Sequence, residues 1–82
     1  MSKKEKLLQK ARQSQKNFSF SDAVKLAEYH GFVYDRTNGS HQLYKQPEYS
    51  ITINIQNKNG EAKPYQVKQI LGFIDDNDIK IR

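Results

Sequence analysis

The chain has 82 residues, which is enough for one small domain and leaves no room for a deep cofactor cleft. It contains no cysteine, so disulfides and thiolate metal sites are excluded, as is usual for proteins of a reducing cytosol. No apolar run approaches the length of a membrane span, and residues 1–4 lead into no signal core. We therefore expect a cytoplasmic protein that has no membrane partner.

The net charge of +5 is unevenly distributed along the chain. Residues 1–17 contain six basic residues and one acidic residue, whereas residues 18–82 contain eight of each. This division predicts a basic amino-terminal extension, residues 1–17, followed by a near-neutral domain, residues 18–82. A cationic segment suits the phosphates of a nucleic acid, and a solvated lysine-rich helix would have the same composition.

Three helices are predicted from capping residues and apolar spacing. Ser2 with Glu5 forms a capping box for a first helix, and Ser19 is an N-cap for a second helix that ends at Gly31. His30 falls in the last turn of the second helix, where an imidazolium would meet the negative end of the helix dipole. Pro64 suits the first position of a third helix, which should end near residue 75. Residues 79–82 form a tail that is either strand-like on a partner or disordered.

Three strands are predicted between the second and third helices, at residues 32–36, 40–45 and 50–56. Asn38-Gly39 predicts a type I′ turn between the first two strands. The isoleucines of the third strand alternate with polar residues and should face the core. If Leu43 also faces the helices, His41 lies on the same face at its edge. The predicted fold is α+β, an α-β-β-β-α domain with helices on one face of a three-stranded antiparallel sheet and an extra basic helix in front. Double-stranded-RNA-binding domains share this layout.

The turn brings three chemically useful residues together. Gly39 allows close approach of a bulky phosphodiester to the backbone, Ser40 supplies a hydroxyl, and His41 supplies an imidazole. Imidazole is well suited to proton transfer near neutral pH. A lone histidine on a strand is also common as a partly buried polar residue, so spacing alone leaves both interpretations open.

The order of motifs resembles that of the HicA toxins, small bacterial mRNA interferases of toxin–antitoxin systems. The likeness covers residues 20–74 and rests on three segments: Gly31-Phe32, the run from Gly39-Ser40-His41 to Leu43-Tyr44-Lys45, and the helix of residues 64–71. The chain departs from the family pattern in its amino-terminal extension and at Gln42. It also has Asn54-Ile55-Gln56 where many members end the third strand with Pro-x-His.

The resemblance implies a metal-independent endoribonuclease in which His41 is the catalytic residue. It carries over Gly39 and Ser40 as substrate-binding residues, whereas Lys45 and Arg36 are added as phosphate contacts because they are near in sequence. A second proton-transfer group is not evident; water, Lys45 and the tyrosines at positions 44 and 65 are candidates. No cofactor or metal is expected.

The implied partners are mRNA and a HicB-type antitoxin, for which Tyr44, Tyr49 and Tyr65 are candidate anchors. Tyrosines can equally stack on unpaired bases, or simply be half-buried at a sheet edge. Two rival functions share the fold: a catalytically silent RNA-binding module and a protein-interaction domain.

Overall fold

The computed structural model describes residues 2–82 and contains three helices and one sheet. The helices are α1 (Lys3–Gln13), α2 (Phe20–Glu28) and α3 (Pro64–Asp76), and the strands are β1 (Val33–Asn38), β2 (His41–Gln46) and β3 (Ile51–Gln56). The sheet is antiparallel in the order β1-β2-β3. The predicted α-β-β-β-α fold with an additional first helix is confirmed.

The helix ends follow the predicted local signals. The side chain of Ser2 accepts a hydrogen bond from the backbone of Glu5, and that of Ser19 accepts one from the backbone of Asp22. Gly31 has a φ of +88°, the left-handed conformation that closes α2. Because the two serines satisfy backbone N–H donors and the turn at Gly31 satisfies backbone carbonyls, all within a few residues, these helix ends can be predicted without knowledge of the rest of the fold.

The hydrophobic core lies between the sheet and the helices. Ile53 and Ile55 of β3 are nearly fully buried, and α2 and α3 both pack on this strand. The buried apolar residues that complete the core include Phe18, Ala23, Leu26, Ala27, Phe32, Val67, Ile70, Leu71 and Ile74. One face of the sheet is therefore covered, and we call the other face the open face.

Helix α1 packs on α2 and α3. Ala11 is fully buried, Lys10 pairs with Asp22 at 3.0 Å, and Arg12 makes two hydrogen bonds to Asp75 at 2.9 and 2.7 Å. The Arg12 guanidinium lowers the pKa of the Asp75 carboxyl. Exposed ion pairs contribute little to stability, so burial of the thin apolar stripe is the main attachment of this helix.

The tail is not disordered, because it packs against the domain, whereas a strand formed on a partner stays a prediction. Ile79 is 4% exposed, and its N–H donates to the carbonyl of Ile74 at 2.9 Å. The N–H of Arg82 donates to the carbonyl of Tyr29 at 2.7 Å. An apolar side chain three residues beyond α3 is thus part of the core, and the last residue of the tail is bonded to the C-terminal end of α2. Within residues 2–82, no helix combines the length and apolar character needed to cross a bilayer.

The β1–β2 turn is one residue further along than predicted. Strand β1 continues to Asn38, which pairs with His41, so the two loop residues are Gly39 and Ser40. Gly39 has a φ of +64°, and Ser40 is not among the residues with positive φ. A glycine at the first loop position is typical of a type II′ turn rather than type I′. The turn still places Ser40 and His41 at the same end of the sheet.

Two glycine substitutions should change stability in opposite directions. Gly39→Ala forces an alanine into the left-handed region and should lower the free energy of unfolding by about 1–2 kcal/mol. Gly72 lies inside α3, where an added Cβ meets no atom of the described chain within 4 Å. Gly72→Ala should therefore raise the free energy of unfolding by about 0.5–1 kcal/mol. Urea denaturation of both variants checks the pair, and equal shifts of the same sign would contradict it.

Candidate active site

His41 lies on the open face of the sheet, not on the face covered by the helices. Leu43 does not face the helices, so the condition that would have placed His41 beside it on the covered face is not met. In the β2–β3 register, the residues opposite the core isoleucines of β3 are Gln42, Tyr44 and Gln46. Tyr44 is 4% exposed and Gln46 is fully buried, so that set faces the helices. His41, Leu43 and Lys45 consequently point the other way.

The imidazole of His41 is held by a neighbour on β3. His41 is partly buried, and its Nδ1 lies 2.9 Å from Oδ1 of Asn54. The two residues lie diagonally across the β2–β3 pairing, because Asn54 is opposite Leu43 and His41 is opposite Gln56. Nε2 makes no hydrogen bond within residues 2–82 and is not enclosed. One ring nitrogen is thus anchored and the other is free.

Ser40 is tied to β3 by a second side-chain hydrogen bond. Nε2 of Gln56 donates to the Ser40 hydroxyl oxygen at 3.1 Å. The backbone N–H of Gln56 in turn donates to Oε1 of Gln66 at 2.8 Å. Gln66 lies in the first turn of α3 and is 2% exposed, because its amide satisfies the end of β3. The turn is therefore braced from β3 and α3, and the Ser40 hydroxyl keeps its own hydrogen to donate.

Arg36 and Lys45 lie on the same sheet surface as His41, Arg36 diagonally across the β1–β2 pairing and Lys45 further along β2. Arg36 is opposite Leu43, and Lys45 is four residues along β2 from His41, about 13 Å away at strand rise. Asp35, at a bulge in β1, lies 2.9 Å from Arg36 and 3.6 Å from Lys45. The two cations therefore share one counter-ion, and the cluster has a net positive charge.

Tyr44 is a core residue and lies outside the site. Its hydroxyl donates to Gln42 at 2.8 Å, and its ring makes an edge contact with Tyr34. Burial raises the pKa of the Tyr44 hydroxyl. It is therefore neither a surface anchor nor a suitable partner for His41 in proton transfer. The exposed large apolar and aromatic side chains are Val33, Tyr34, Tyr49 and Tyr65.

His30 is structural, as the helix-capping interpretation predicted, but it is not an exposed imidazolium. The side chain is fully buried, and Nδ1 donates to the carbonyl of Leu26 at 2.7 Å in the last turn of α2. Burial lowers the pKa of His30, with repulsion from Arg12 and Arg82 acting in the same direction and the Leu26 hydrogen bond opposing it. The ring is therefore neutral in the folded protein near neutral pH.

This neutral ring predicts a pH dependence of stability. A lowered pKa in the folded state means that the unfolded chain takes up the proton first as the pH falls below about 6.5. The contribution of His30 is complete above that pH and is lost as the pH falls towards the folded-state pKa, with a slope of at most about 1.4 kcal/mol per pH unit. Urea denaturation between pH 7.5 and 5 measures it. His30→Gln should flatten the slope, and an unchanged slope would contradict the assignment.

The basic extension is remote from His41. Helix α1 packs on the two helices that cover the opposite face of the sheet. Lys10 and Arg12 are paired with acidic residues of the domain, while Lys3, Lys6 and Lys16 are exposed. The formal positive charge of the chain is thus concentrated on the side of the sheet opposite His41.

Most predicted site residues lie at one end of the open face. Gly39, Ser40 and His41 are together at the turn, and Arg36 and Lys45 extend the same surface along the sheet. Sequence reasoning did not assign Asn54 or Gln56 as partners of this turn. The strict alternation of β3 was a signal for both, since it places them on the outward face. No group of three possible metal ligands forms in the described part of the chain.

One comparison with known proteins returns a match. The family model described as HicA toxin of bacterial toxin–antitoxin matches residues 20–75, which is more than half of the chain. Neither the curated proteins nor the solved structures give a match. The matched range includes α2, the whole sheet and nearly all of α3, and it leaves α1 outside.

Proposed function

Since the chain belongs to the HicA toxin family of bacterial toxin–antitoxin systems, we propose that it is a metal-independent endoribonuclease that cleaves mRNA. His41 is the general acid–base of this reaction. The observation that supports the proposal best is the His41 ring itself. It is anchored through Nδ1 at the open end of the sheet, and its Nε2 is free of other contacts.

RNA supplies its own nucleophile, which is why one imidazole and no metal can suffice. The neutral Nε2 of His41 accepts the proton of a 2′-hydroxyl, whose oxygen then attacks the adjacent phosphorus. The bond from phosphorus to the 5′-oxygen breaks, and that oxygen takes up a proton. The products are a 2′,3′-cyclic phosphate and a 5′-hydroxyl, so atoms and charges balance without a co-reactant.

The turn and the cationic pair have separate roles in substrate binding. Gly39 and Ser40 are next to His41, so we assign the scissile phosphate to the exposed turn backbone and the Ser40 hydroxyl. Arg36 and Lys45 lie further along the sheet, and we assign them to neighbouring phosphates of the same strand. The weak net charge of this surface suits transient binding better than permanent binding.

The proton that the leaving 5′-oxygen takes up needs a donor other than the residues on the covered face of the sheet. Tyr44 is excluded by its burial, and Lys45 is too far along β2 to reach the same phosphate. Tyr65 is 59% exposed at the start of α3, the helix that braces β3 next to the turn. Solvent water reaches an open site of this kind without a dedicated residue, and we assign the proton to water; the hydroxide that remains takes the proton held on Nε2 of His41, which restores the neutral ring.

A toxin that acts on mRNA has to be neutralised, and a HicB-type antitoxin is the proposed partner. Val33, Tyr34 and Tyr65 are all more than half exposed, so each is accessible to a protein partner. Val33 is opposite Lys45 and so lies on the open face, where an antitoxin that covers this face would bury it together with His41. Tyr34 is opposite the helix-facing Tyr44, and Tyr65 belongs to α3, so these two lie away from the open face.

Induction in bacterial cells tests the proposed function. The wild-type chain should arrest growth and deplete mRNA within one induction, and His41→Ala at equal soluble abundance should do neither. Thr52→Ala, on the same face of β3, is the matched control and should behave as wild type. If His41→Ala arrests growth as wild type does, the histidine is not catalytic, and a binding function without cleavage explains the toxicity.

A further inference from the structure

The neighbour of His41 on β3 has a geometry that fixes the protonation pattern of the ring. Oδ1 of Asn54 lies 2.9 Å from Nδ1 of His41. A carboxamide oxygen has lone pairs and no hydrogen, so Nδ1 must be the donor. In a neutral imidazole only one nitrogen carries a proton, and the lone pair is then on Nε2. The contact therefore selects one of the two neutral tautomers.

Asn54 is itself rigidly placed. It lies on β3 between Ile53, which is 2% exposed, and Ile55, which is fully buried. Its backbone is opposite Leu43 in the β2–β3 ladder, and its side chain is partly buried. A strand position flanked by two core residues has little freedom to shift, so the Asn54 amide keeps a fixed position next to the His41 ring.

We propose that Asn54 is a positioning residue for His41: it holds the ring in the Nδ1–H tautomer and offers Nε2 as the atom that exchanges a proton with the substrate. The part of this inference that concerns catalysis rests on the proposed function, whereas the tautomer does not. Hydrogen bonds from a second residue that orient a working imidazole recur in catalytic and metal sites, where their loss lowers activity.

The tautomer is measured directly by long-range proton–nitrogen NMR of the imidazole ring in uniformly ¹⁵N-labelled protein above pH 8. The wild type should show the Nδ1–H pattern for His41. Asn54→Leu removes the acceptor and should shift the ring towards the Nε2–H form that free imidazole side chains prefer. Asn54→Asp keeps an acceptor oxygen in place and should retain the Nδ1–H pattern. Thr52→Ala, two residues away on the same face, is the matched control and should match wild type.

Cleavage kinetics then test the catalytic part of the inference on the same four proteins. Asn54→Leu should lower kcat by about 10- to 100-fold with little change in KM, the range expected for loss of a group that orients an imidazole. Asn54→Asp should recover most of kcat while raising KM, because the carboxylate introduced at position 54 repels the phosphates of the RNA. A purely structural role would lower stability in both variants and leave kcat per folded molecule unchanged.

The outcomes separate the inference from the function on which it partly rests. An Nε2–H pattern in the wild type, or a pattern unmoved in Asn54→Leu, overturns the positioning role whatever the activity. The expected patterns in a folded wild type that leaves RNA intact support the tautomer assignment and refute the nuclease. Expected patterns together with a selective loss of kcat in Asn54→Leu support both.

Discussion

Replacing His41 with glutamine is expected to lower the rate of RNA cleavage by about 10²- to 10⁴-fold, the usual contribution of a general acid or base. Glutamine keeps a polar side chain of similar reach, so the surface around the turn is preserved while the exchangeable lone pair of the ring is lost. Because His41 is only partly buried and makes one side-chain hydrogen bond, the stability cost should be about 1 kcal/mol.

Single-turnover cleavage of a labelled RNA, with enzyme in excess, measures this effect without interference from product release. Thermal unfolding of the same preparations confirms that both proteins are folded at the assay temperature. Lys68→Ala is a useful second control, because this exposed lysine of α3 tests whether any change of surface charge slows the reaction. Equal rates for His41→Gln and wild type would remove His41 from the mechanism.

The second large effect expected is on stability, at the junction between α2 and β1. Phe32 is 1% exposed, whereas its neighbour Val33 is 52% exposed. Phe32→Ala should lower the free energy of unfolding by about 3–5 kcal/mol, through lost apolar burial and the cavity that remains. Val33→Ala should change it by no more than about 0.5 kcal/mol.

The pair is informative because a domain of this size has a stability of only about 4–12 kcal/mol. Phe32→Ala should therefore leave a measurable unfolded fraction in mild denaturant, and its urea midpoint should fall clearly below that of Val33→Ala. Similar midpoints for the two variants would mean that Phe32, directly before β1, is not buried in the core as the structure has it.

Local signals made most of the fold predictable. The caps at Ser2 and Ser19, the left-handed Gly31 and the proline at the start of α3 each act within one turn of chain, and all four have the predicted role. The alternating isoleucines of β3 likewise identified the covered face of that strand. Propensity and capping are properties of short segments, so a single sequence contains them.

The errors arose where distant parts of the chain supply hydrogen bonds. Leu43 was considered as a helix-facing residue of β2, yet Gln46 is buried on that face, because its amide donates to the carbonyl of His30 and accepts from the backbone of Glu48. Gln66 is buried for the same reason, since it satisfies the backbone of Gln56. From the sequence alone a glutamine is expected at the surface, because the hydrogen-bond partners that would allow its burial are not known.

In the candidate site, too, the residues of the turn could be predicted from the sequence, whereas their partners from distant segments could not. Gly39, Ser40 and His41 were identified from the family resemblance, and the turn brings them together. The side-chain partners of this turn come from β3, through a register that depends on which face of β2 is covered. Because the sequence left the covered face of β2 undecided, the contact between Asn54 and the His41 ring could not be foreseen.

The most direct test of the central claim is the chemistry of the RNA ends left by the purified protein in the presence of excess chelator. Attack by the 2′-hydroxyl with His41 as base predicts 2′,3′-cyclic phosphates and 5′-hydroxyls by mass spectrometry, and intact RNA with His41→Ala. Fragments with 5′-phosphates, or intact RNA with the folded wild type, would contradict this account of the site.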